Sequence, residues 1–539
     1  MKITGAQAMV ECLLKENVNI VFGYPGAAIA PFYDSLSHSA VKHVLTRTEQ
    51  GAGHAASGYA RISGRPGVCI ATSGPGATNL FTAIATAYGD SIPMIAITGQ
   101  VATESLGRDV FQEVDTIGAV EPFTKYSYLV KDVNDIPGVF REAFHIASTG
   151  RKGPVLIDIP VDIQNAELEF SYPENVNIRG YKPPFEGHPL QIRRVAEALR
   201  SAKCPLICVG GGVFSSGAAE HIKTLCESAS LPLVSTMMGI GTLPPEHALY
   251  FGMLGQSGFS AANTAVRESD LLVLIGARVG DRAIERPASL EERTTVIHID
   301  IDAAEIGKNL GATIPLVGDA ARVVARLLKE KLEGDRSEWL NYLSSLREKS
   351  SFPVRSSKHG FVNPHALVKA LSLGLGDNGV YVADVGMNQI WSSRSFSGTA
   401  RFLTTGGMGT MGYSIPAAIG AKHAAPQKSI AAVCGDGAFQ MTIGELATIV
   451  QQGLPVKIVV MRNGILGMIR SIQHVSFGGN EFAVNLSGNP DIGLIAKAYG
   501  FSYSLLDSDT DINTAVNDML ASDEPYILEC VIDPEEDLA

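Results

Sequence analysis

Short apolar runs recur along the chain, and most of them stop at glycine or polar residues before a helical pattern begins. Pro154–Pro160, Leu271–Ile275 and Ile430–Cys434 have the length and continuous hydrophobicity of parallel strands that are buried on both faces. Between such runs, segments like Gly5–Glu16 carry apolar residues at helical spacing. Strands that alternate with helices predict an α/β fold with doubly wound parallel sheets.

Two segments interrupt this alternation. Residues 173–190 are rich in proline, glycine and charge with little apolar periodicity, which is typical of a linker, and residues 349–363 form a second interruption. At 539 residues the chain is also too long for one hydrophobic core. We therefore predict three α/β domains, over residues 1–172, 190–345 and 360–539.

The third domain holds the stretch with the most candidate chemistry. Asp436 lies between two glycines after the strand Ile430–Cys434, and Asn463 closely follows a second apolar strand, Val456–Met461. In one β-α-β unit the carboxyl ends of parallel strands lie at the same sheet edge, so we expect Asp436 and Asn463 to face one ligand. Carboxylate and amide oxygens suit Mg²⁺, which also binds substrate phosphates. The spacing predicts a magnesium diphosphate site, although a lone Gly-Asp-Gly is more often a plain surface turn.

The same stretch also predicts local structure. We expect Gly435 and Gly437 to let the backbone turn sharply around Asp436. Thr442 and Glu445 fit the Ser/Thr-x-x-Glu capping box, which predicts that a helix begins there and runs to about Gln452.

A helix crowded with small residues is predicted over residues 49–61. Glycine costs about 1 kcal/mol relative to alanine inside a helix, so its abundance here calls for a reason. Small residues allow two backbones to approach closely, and we expect a deeply packed helix with Glu49 at its buried amino-terminal end. The alternative is a first-turn glutamate that is simply favoured by the helix dipole.

Three glycine-rich turns leave more than one interpretation open. Residues 73–79 follow a strand and suit either an anion cradle or a tight packing turn. Gly210–Gly212 and the acidic strand end at Asp300 suit a nucleotide over a sheet edge, or a domain that only spaces its neighbours. Residues 407–412 contain G-x-G-x-x-G, but the early Pro416 and the lack of an acid about 20 residues on argue against dinucleotide binding.

Composition and charge exclude several classes of protein. The net charge is −12 and no run of Lys and Arg is present, which argues against a nucleic-acid partner. No apolar stretch reaches the roughly 18 residues of a membrane span, and Glu11, Lys15 and Glu16 break any apolar core of an export signal. The seven cysteines are scattered without a C-x-x-C pair, which favours reduced thiols over zinc and predicts a cytoplasmic protein.

Longer motifs carry a resemblance to a known family. They are RTEQGAGHAASGYAR around Glu49, GGMGTMGYSIPAAIG from Gly406, and Gly-Asp-Gly followed 27 residues after its aspartate by Asn463-Gly464-Ile465. With them the chain resembles the catalytic subunit of acetolactate synthase (acetohydroxyacid synthase), a thiamine diphosphate enzyme, over nearly its whole length. The resemblance implies that the first domain binds the cofactor's aminopyrimidine, the middle domain FAD and the last domain the diphosphate.

The resemblance assigns catalytic roles in the first domain. Glu49 would share a proton with the aminopyrimidine ring and so promote the form that deprotonates the thiazolium. Phe111 and Gln112 would line the site of the second substrate. The backbone of Gly26 and Ala27 would lie over the reaction centre.

The resemblance implies cofactor contacts in all three domains. Mg²⁺ would be held by Asp436, the Asn463 side chain and the Ile465 carbonyl. Met411 would hold the cofactor bent, and the Gly409 carbonyl would receive its amino group. The other positions matched to thiamine diphosphate are Pro25, Asn79, Gly386, Met387, Asn388, Gln389, Gly435, Gly437, Ala438, Leu466, Gly467 and Met468. The positions matched to FAD, which is structural in this family, are Arg151, Gly210, Gly211, Gly212, Arg278, Asp300 and Asp319.

The sequence departs from the family pattern at several positions. Met387-Asn388 stands where the family has Gln-His, and Val161 replaces a lysine near the active-site entrance. Ile472 replaces the tryptophan that favours 2-oxobutyrate as acceptor. Arg278-Val279-Gly280 stands where the family has Arg-Phe-Asp, and the sequence reaches Ala539 without the longer tail that helps close the family's site.

These features predict a homodimeric or homotetrameric enzyme of branched-chain amino acid biosynthesis that decarboxylates pyruvate and joins the product to a second 2-oxoacid, giving 2-acetolactate. Its sites would form between the first domain of one subunit and the last domain of another, and the resemblance is compatible with a small regulatory subunit. Two alternatives stay open: another thiamine diphosphate-dependent 2-oxoacid decarboxylase or oxidase, and a non-catalytic relative that acts as a binding subunit. Intact Glu49, Asp436 and Asn463 argue against the second alternative.

Overall fold

Three six-stranded sheets, each with parallel strand pairs throughout, dominate the computed structural model, which describes residues 2–284, 287–349, 357 and 359–536. The predicted fold class, three parallel-sheet α/β domains, is confirmed. The domain boundaries stay a prediction. The chain forms no helix or strand between Glu169 and Pro189, where the first linker was predicted, and residues 350–356 and 358 of the second lie outside the described residues.

The first domain is built on a sheet of six strands with a short antiparallel pair beside it. Its strands are β1 (Lys2–Thr4), β2 (Ile20–Gly23), β3 (Lys42–Leu45), β4 (Gly67–Ala71), β5 (Met94–Gln100), β6 (Tyr126–Leu129), β7 (Pro154–Pro160) and β8 (Glu167–Glu169). Its helices are α1 (Gly5–Lys15), α2 (Ala30–Ser37), α3 (Glu49–Ser63), α4 (Pro75–Asp90), α5 (Thr116–Val120), α6 (Ile136–Ser148) and α7 (Val161–Asn165). The sheet order is β3-β2-β4-β5-β7-β6, and β1 pairs with β8.

The middle domain repeats this plan. Its strands are β9 (Pro205–Val209), β10 (Leu233–Ser235), β11 (Tyr250–Met253), β12 (Leu271–Ile275), β13 (Thr295–Asp300) and β14 (Ile314–Val317), in the order β11-β10-β9-β12-β13-β14. Its helices are α8 (Pro189–Ser201), α9 (Gly212–Ser216), α10 (Ala219–Ala229), α11 (Ser260–Glu268), α12 (Pro287–Glu291), α13 (Ala320–Leu327) and α14 (Ser337–Lys349).

The third domain also has a six-stranded sheet with helices between its strands. Its strands are β15 (Gly379–Ala383), β16 (Arg401–Leu403), β17 (Ser429–Gly435), β18 (Lys457–Arg462), β19 (Ser502–Leu506) and β20 (Tyr526–Val531), in the order β16-β15-β17-β18-β20-β19. Its helices are α15 (Pro364–Leu375), α16 (Met387–Ser395), α17 (Ser414–Ala424), α18 (Asp436–Met441), α19 (Glu445–Gln451), α20 (Gly467–Ser476), α21 (Ile492–Tyr499) and α22 (Ile512–Ala521).

In each sheet the strand order reverses between two strands that are not at the sheet edge, and that place fixes where a ligand can bind. The reversals lie between β2 and β4, between β9 and β12, and between β15 and β17. Open parallel sheets bind ligands in the crevice beyond the carboxyl ends of the strands at such a reversal. The chain leaves these strand ends through residues 24–28, 210–212 and 384–389, and each of these segments contains residues of the predicted sites.

The small-residue helix α3 packs against α17, and this crossing joins the first domain to the third. A Cβ atom on Gly58 would lie 2.0 Å from the Ala417 carbonyl oxygen, and one on Gly420 would lie 1.8 Å from that of Ala55. The two backbones therefore touch, as the small residues of α3 predicted. One apolar core contains buried residues of both domains, including Phe22 and Ile415.

Some local predictions are wrong. Helix α19 begins after Gly444 without a side-chain cap, so Thr442 and Glu445 form no capping box. Neither Gly435 nor Gly437 has a positive φ angle, because α18 begins directly at Asp436 without a sharp turn. The turn predicted over residues 73–79 ends early, since α4 begins at Pro75.

No helix among the described residues is both long enough and apolar enough to cross a membrane.

Candidate active site

Asp436 lies at the centre of the third domain's candidate site, at the end of β17. Its side chain is buried, and its Oδ2 accepts hydrogen bonds from the Gly464 amide at 2.8 Å and from Asn489 Nδ2 at 2.6 Å. The Gly437 amide donates to Oδ1 at 3.2 Å. Burial raises the pKa of Asp436, and these hydrogen bonds oppose the rise. A bound cation would favour the ionised form further.

The loop after β18 supplies the other predicted metal ligands. In the sheet Gly435 is paired with Met461, so Asp436 and Asn463 leave neighbouring strands at the same edge. Asn463 Oδ1 accepts a hydrogen bond from the Ile465 amide at 3.2 Å. Ile465 forms a β-bridge with Asn485, which fixes this loop against a second segment.

The donor set at this edge fits Mg²⁺. It offers one carboxylate, one amide oxygen and one main-chain carbonyl, and the described residues contain no cluster of three or more His, Cys, Asp and Glu. A magnesium ion that keeps water and phosphate ligands needs few protein oxygens, whereas an all-protein cage would need more carboxylates.

Two glycines at this edge let neighbouring side chains approach the backbone closely. A Cβ atom on Gly437 would lie 3.1 Å from Leu466 Cδ2 and 3.5 Å from Met411 Cε, and one on Gly467 would lie 2.7 Å from Met387 Cγ. Glycine is thus required here for room and not for backbone conformation. The candidate residues of four separate segments, 386–389, 409–411, 435–438 and 463–468, converge on this edge, with Ala438 and Met468 in the first turns of the two helices that flank it.

The turn after β15 is shaped by Gly386, whose φ of 133° favours glycine. The next residues hold neighbouring chain segments together. Asn388 Nδ2 donates to the Asp384 carbonyl at 2.9 Å, and Gln389 Nε2 donates to Thr404 Oγ1 at 2.7 Å. Any cofactor contact of these two side chains would therefore use their oxygen atoms.

Sequence reasoning missed Asp384, which positions the segment that carries Gly409 and Met411. The Asp384 carboxylate is buried and accepts hydrogen bonds from the amides of Gly412 at 2.9 Å and Ser414 at 2.8 Å. Burial raises its pKa, and those main-chain donors oppose the rise. An acid directly after an apolar strand was the available signal, the same signal that identified Asp436.

Glu49 begins α3 in the first domain. Asn79 Nδ2 donates to Glu49 Oε2 at 3.0 Å, and Glu49 Oε1 lies 3.5 Å from the position of a Cβ atom on Gly76. The side chain is only partly buried in the single chain, so the expected buried helix end is not seen. The first turn of α3 is capped by Thr48, whose side chain accepts a hydrogen bond from the Gly51 amide at 3.0 Å.

Residues 24–28 lie beside Thr72 at the reversal point of the first sheet. A Cβ atom on Gly26 would lie 2.4 Å from Thr72 Cβ, and the Ala28 amide donates to Thr72 Oγ1 at 3.2 Å. Pro25 and Ala27 are exposed. Their backbone is thus fixed while their side chains face outward.

The loop that carries Phe111 and Gln112 has an unusual backbone. Gln112 has a φ of 61°, and a Cβ atom on Gly74 would lie 2.9 Å from Gln112 Cβ. Phe111 is 87% exposed. The Glu113 carboxylate holds the loop by accepting main-chain amides, among them that of Val110.

The candidate FAD residues surround the reversal point of the middle sheet. Cβ atoms on Gly210 and Gly212 would meet Gly276 at 2.5 and 2.7 Å, so two of the three glycines are also required for packing. Arg151 pairs with Glu305 at 2.6 Å and Asp302 at 3.3 Å.

The two acidic residues of this set, Asp300 and Asp319, have different surroundings. Burial raises the pKa of Asp300 to about 6, whereas Asp319 caps α13 by accepting the Arg322 amide at 3.0 Å. Arg278 is exposed, and Gly211 faces Met238 Cβ, 3.3 Å from the position of its own Cβ. Of this set, Gly210, Gly212 and Asp319 thus have structural roles within the chain itself.

Comparisons with known proteins agree with this geometry. The family described as "Thiamine pyrophosphate enzyme" matches the chain in three parts: its N-terminal TPP binding domain over residues 3–119, its central domain over 192–327 and its C-terminal TPP binding domain over 384–530. Fold and site thus define a thiamine pyrophosphate (thiamine diphosphate) enzyme.

Relatives refine the assignment. A probable acetolactate synthase large subunit of Methanococcus aeolicus is 43% identical over 559 residues, covering 100% of this chain and 93% of the relative. The acetolactate synthase large subunit of Corynebacterium glutamicum is 45% identical, covering 93% and 82%, and that of Lactococcus lactis is 38% identical, covering 99% and 93%. The chain belongs to the acetolactate synthase large-subunit family.

Proposed function

We propose that the protein makes 2-acetolactate: it decarboxylates pyruvate and joins the product to a second 2-oxoacid, with thiamine diphosphate and Mg²⁺. The observation that carries the proposal is the convergence of Asp436, Asn463 and Gly437 on one sheet edge, in a chain whose relatives over nearly its full length are named acetolactate synthases.

Bound thiamine diphosphate would supply a thiazolium that stabilises the carbanion left when pyruvate loses CO₂. The chain's residues would hold and orient it. Asp436, Asn463 and the Ile465 carbonyl would bind Mg²⁺ and through it the diphosphate. Leu466 and Met411, which approach Gly437 from two sides, would line the cofactor's site there.

Glu49 would hold a proton at the aminopyrimidine ring. Because Asn79 already binds Oε2, Oε1 is the atom left to meet the ring nitrogen. Closure of the site by another surface would keep water away from the carboxyl and the ring. This arrangement gives Glu49 a general acid-base role.

Subunit assembly would supply that closing surface. We propose a homodimer or homotetramer in which the first domain of one subunit meets the third domain of another. Large apolar side chains are exposed on both: Phe111 at 87% in the first, and Val475 at 85%, Phe477 at 68% and Phe482 at 78% in the third. A small regulatory subunit fits the name "large subunit" of the relatives.

Structural FAD in the middle domain and a cytoplasmic location belong to the same proposal. All seven cysteines lie in the described part of the chain and carry free thiols, six of them buried, as a reducing compartment permits.

Ile472 is 46% exposed and smaller than tryptophan, so we propose no preference for 2-oxobutyrate over pyruvate as acceptor.

Product analysis tests the proposal. Purified protein is given pyruvate, thiamine diphosphate and Mg²⁺, with and without FAD, and acetolactate, acetaldehyde and acetate are measured. Acetolactate as the main product supports the proposal. Acetaldehyde or acetate as the main product would instead assign the protein to another class of 2-oxoacid decarboxylase or oxidase. If the protein binds the cofactors but does not turn over pyruvate, pyruvate is not its substrate.

A further inference from the structure

The acceptor loop, residues 107–115, lies between β5 and α5 and approaches the candidate cofactor site of the first domain. A Cβ atom on Gly74, at the start of α4, would lie 2.9 Å from Gln112 Cβ. The same helix carries Asn79, which donates to Glu49 at 3.0 Å. The loop therefore lies beside the glutamate that is proposed to meet the cofactor's ring.

The backbone of the acceptor loop is strained at two residues. Asp109 has a φ of 53° and Gln112 a φ of 61°, a conformation that residues with a side chain rarely adopt. Such residues persist only where the surrounding structure fixes them. Two side chains fix this loop, one near the surface and one in the interior.

Glu113 is the anchor near the surface. Its Oε1 accepts a hydrogen bond from the Gly107 amide, and its Oε2 accepts the amides of Arg108 and Val110, each at 3.2 Å. One carboxylate thus gathers three main-chain amides of the first half of the loop. Its removal would leave those amides without these bonds and the half-loop free to open.

Gln100 is the anchor in the interior. It is buried at the end of β5, and its Nε2 donates both to the Val114 carbonyl and to Asp158 Oδ2 at 2.9 Å. Its Oε1 accepts the Val101 amide at 2.9 Å. Both N–H groups and the oxygen of the amide are therefore engaged, and one of the N–H groups holds the end of the acceptor loop.

Asp158 fixes the orientation of the Gln100 amide. It lies on β7 opposite Thr98, is buried, and accepts the Thr98 hydroxyl on Oδ1 at 2.7 Å. It has no ion-pair partner among the described residues, and a buried carboxylate with only neutral donors is costly. Since an ionised carboxylate only accepts hydrogen bonds, it requires the NH₂ group of Gln100 to face inward, where that group also reaches Val114.

We propose that Gln100 and Glu113 are positioning residues for the step in which the second 2-oxoacid is joined, an inference that rests on the proposed function. Phe111 and Gln112 lie between the segment that Glu113 gathers and the Val114 carbonyl that Gln100 holds. Fixed on both sides, they are held in place to meet the acceptor. A loosened loop would bind the acceptor less well without changing the groups that bind the cofactor.

The ratio of two products reports on this step alone. In 2-acetolactate the carbonyl carbon of the decarboxylated pyruvate has bonded to the carbonyl carbon of a second pyruvate, whose oxygen takes up the proton. If the decarboxylated pyruvate takes up the proton itself, acetaldehyde is released instead. Loss of folded enzyme lowers both products equally, so a merely structural role leaves their ratio unchanged.

Variants that remove each anchor test the proposal with pyruvate, thiamine diphosphate and Mg²⁺. Gln100→Met keeps the length of the side chain but loses its donors, and Glu113→Ala removes the other anchor. Each should raise the ratio of acetaldehyde to acetolactate about 10-fold, the low end for loss of a hydrogen bond to a charged group. Hydrogen exchange of residues 107–115, measured by mass spectrometry without substrate, should become faster in both variants.

Two further variants serve as controls. Asp158→Asn should keep a product ratio close to that of the parent, because its oxygen can accept from Gln100 while its NH₂ group donates to the Thr98 hydroxyl. Gln191→Met removes a similar bond to a main-chain carbonyl, that of Pro315 at 3.1 Å in the middle domain, and should change neither readout.

The possible outcomes separate this inference from the proposed function. If the parent makes acetolactate and a variant keeps the parent's product ratio, the role assigned to that residue is overturned and the proposed function stands. If the parent makes no acetolactate, both are overturned. If Gln100→Met does not fold, Glu113→Ala, at a partly exposed residue, decides.

Discussion

Four acidic side chains of the chain differ in what binds them. Asp384 and Glu445 are buried and accept main-chain amides, so they fix the backbone. Asp436 also accepts main-chain amides, but it lies where the loop after β18 meets the start of α18, at the candidate metal site. Glu49 accepts from one side chain and is only partly buried. The first two are therefore positioning residues, and the last two are those expected to meet ligand.

Replacement of Glu49 tests its acid-base role. Glu49→Gln keeps the hydrogen bond from Asn79 but removes the exchangeable proton, so the turnover number for acetolactate should fall about 10²- to 10⁴-fold. Thiamine diphosphate affinity should change little. Asp109→Asn, an acid in the neighbouring loop, serves as the control and should keep most activity. Full activity of Glu49→Gln would rule the role out.

Replacement of Asp436 tests the metal site. Asp436→Asn retains the shape but removes the charge, and Mg²⁺-dependent binding of thiamine diphosphate should weaken by roughly two orders of magnitude, as expected for loss of a charged ligand. Activity titrated against both cofactors measures the effect. Asp507→Asn, on an exposed residue of the same domain, should behave like the parent. If Asp436→Asn binds both cofactors as tightly as the parent does, Asp436 is not a metal ligand.

Among the elements, α3 and α17 set the relation of two domains. Gly58→Ala should destabilise the protein strongly, by about 3 kcal/mol or more, because the new Cβ atom would lie 2.0 Å from the Ala417 carbonyl oxygen and overpack the crossing. Thermal unfolding measures the change. Gly138→Ala in α6 is the matched control, since no atom lies within 4 Å of that Cβ position, and it should be neutral or stabilise by about 0.5–1 kcal/mol. A similar melting temperature for both variants would contradict this account.

The sequence allowed the elements that bear apolar runs to be predicted well. Pro154–Pro160 and Leu271–Ile275 were placed to the residue, since continuous hydrophobicity identifies strands buried on both faces. Short edge strands such as β16 and β19 were missed because their burial is partial and their patterns weak.

The capping box failed for a different reason, and the same reason limits prediction of the site. Glu445 does not cap its own helix because its Oε1 accepts amides of Arg47 at 2.9 Å and Thr48 at 3.1 Å, nearly 400 residues earlier in the chain. A local pattern cannot reveal a partner so distant. The sequence indicated Asp436 because Asn463 follows it at a recognisable spacing, whereas Asp384, which also follows an apolar strand, has main-chain partners at Gly412 and Ser414 that no local pattern indicates.

For the whole molecule, buried histidines make stability depend on pH. Burial lowers the pKa of His54 to about 3 and that of His43, His365 and His423 to about 4, from an ordinary value of 6.5. Between about pH 6.5 and 4 the unfolded chain takes up protons that the folded chain does not, so these groups lower the free energy of unfolding as pH falls, by up to about 1.4 kcal/mol per pH unit each.

Two substitutions separate this effect from others. His54→Gln should make the free energy of unfolding depend less on pH. We expect its slope to fall by about 1.4 kcal/mol per pH unit, which corresponds to one proton. Asp158→Asn should change the slope in the opposite sense, because burial raises the pKa of Asp158 to about 7, so that in the parent its protonation in the folded state offsets one histidine. Chemical unfolding at several pH values measures both slopes. Equal slopes in all three proteins would contradict the assignment.

The hydrophobic core shared by the first and third domains holds together stretches of sequence that lie far apart in the chain. Residues 173–188 contain no buried residue and join two parts that are held together elsewhere, through α3 and α17. A protease cut in that stretch would therefore nick the polypeptide without separating its pieces. Two gene fragments divided there, expressed together, would be expected to reassemble into one particle, so peptide continuity at this point matters less than the surface that the pieces share.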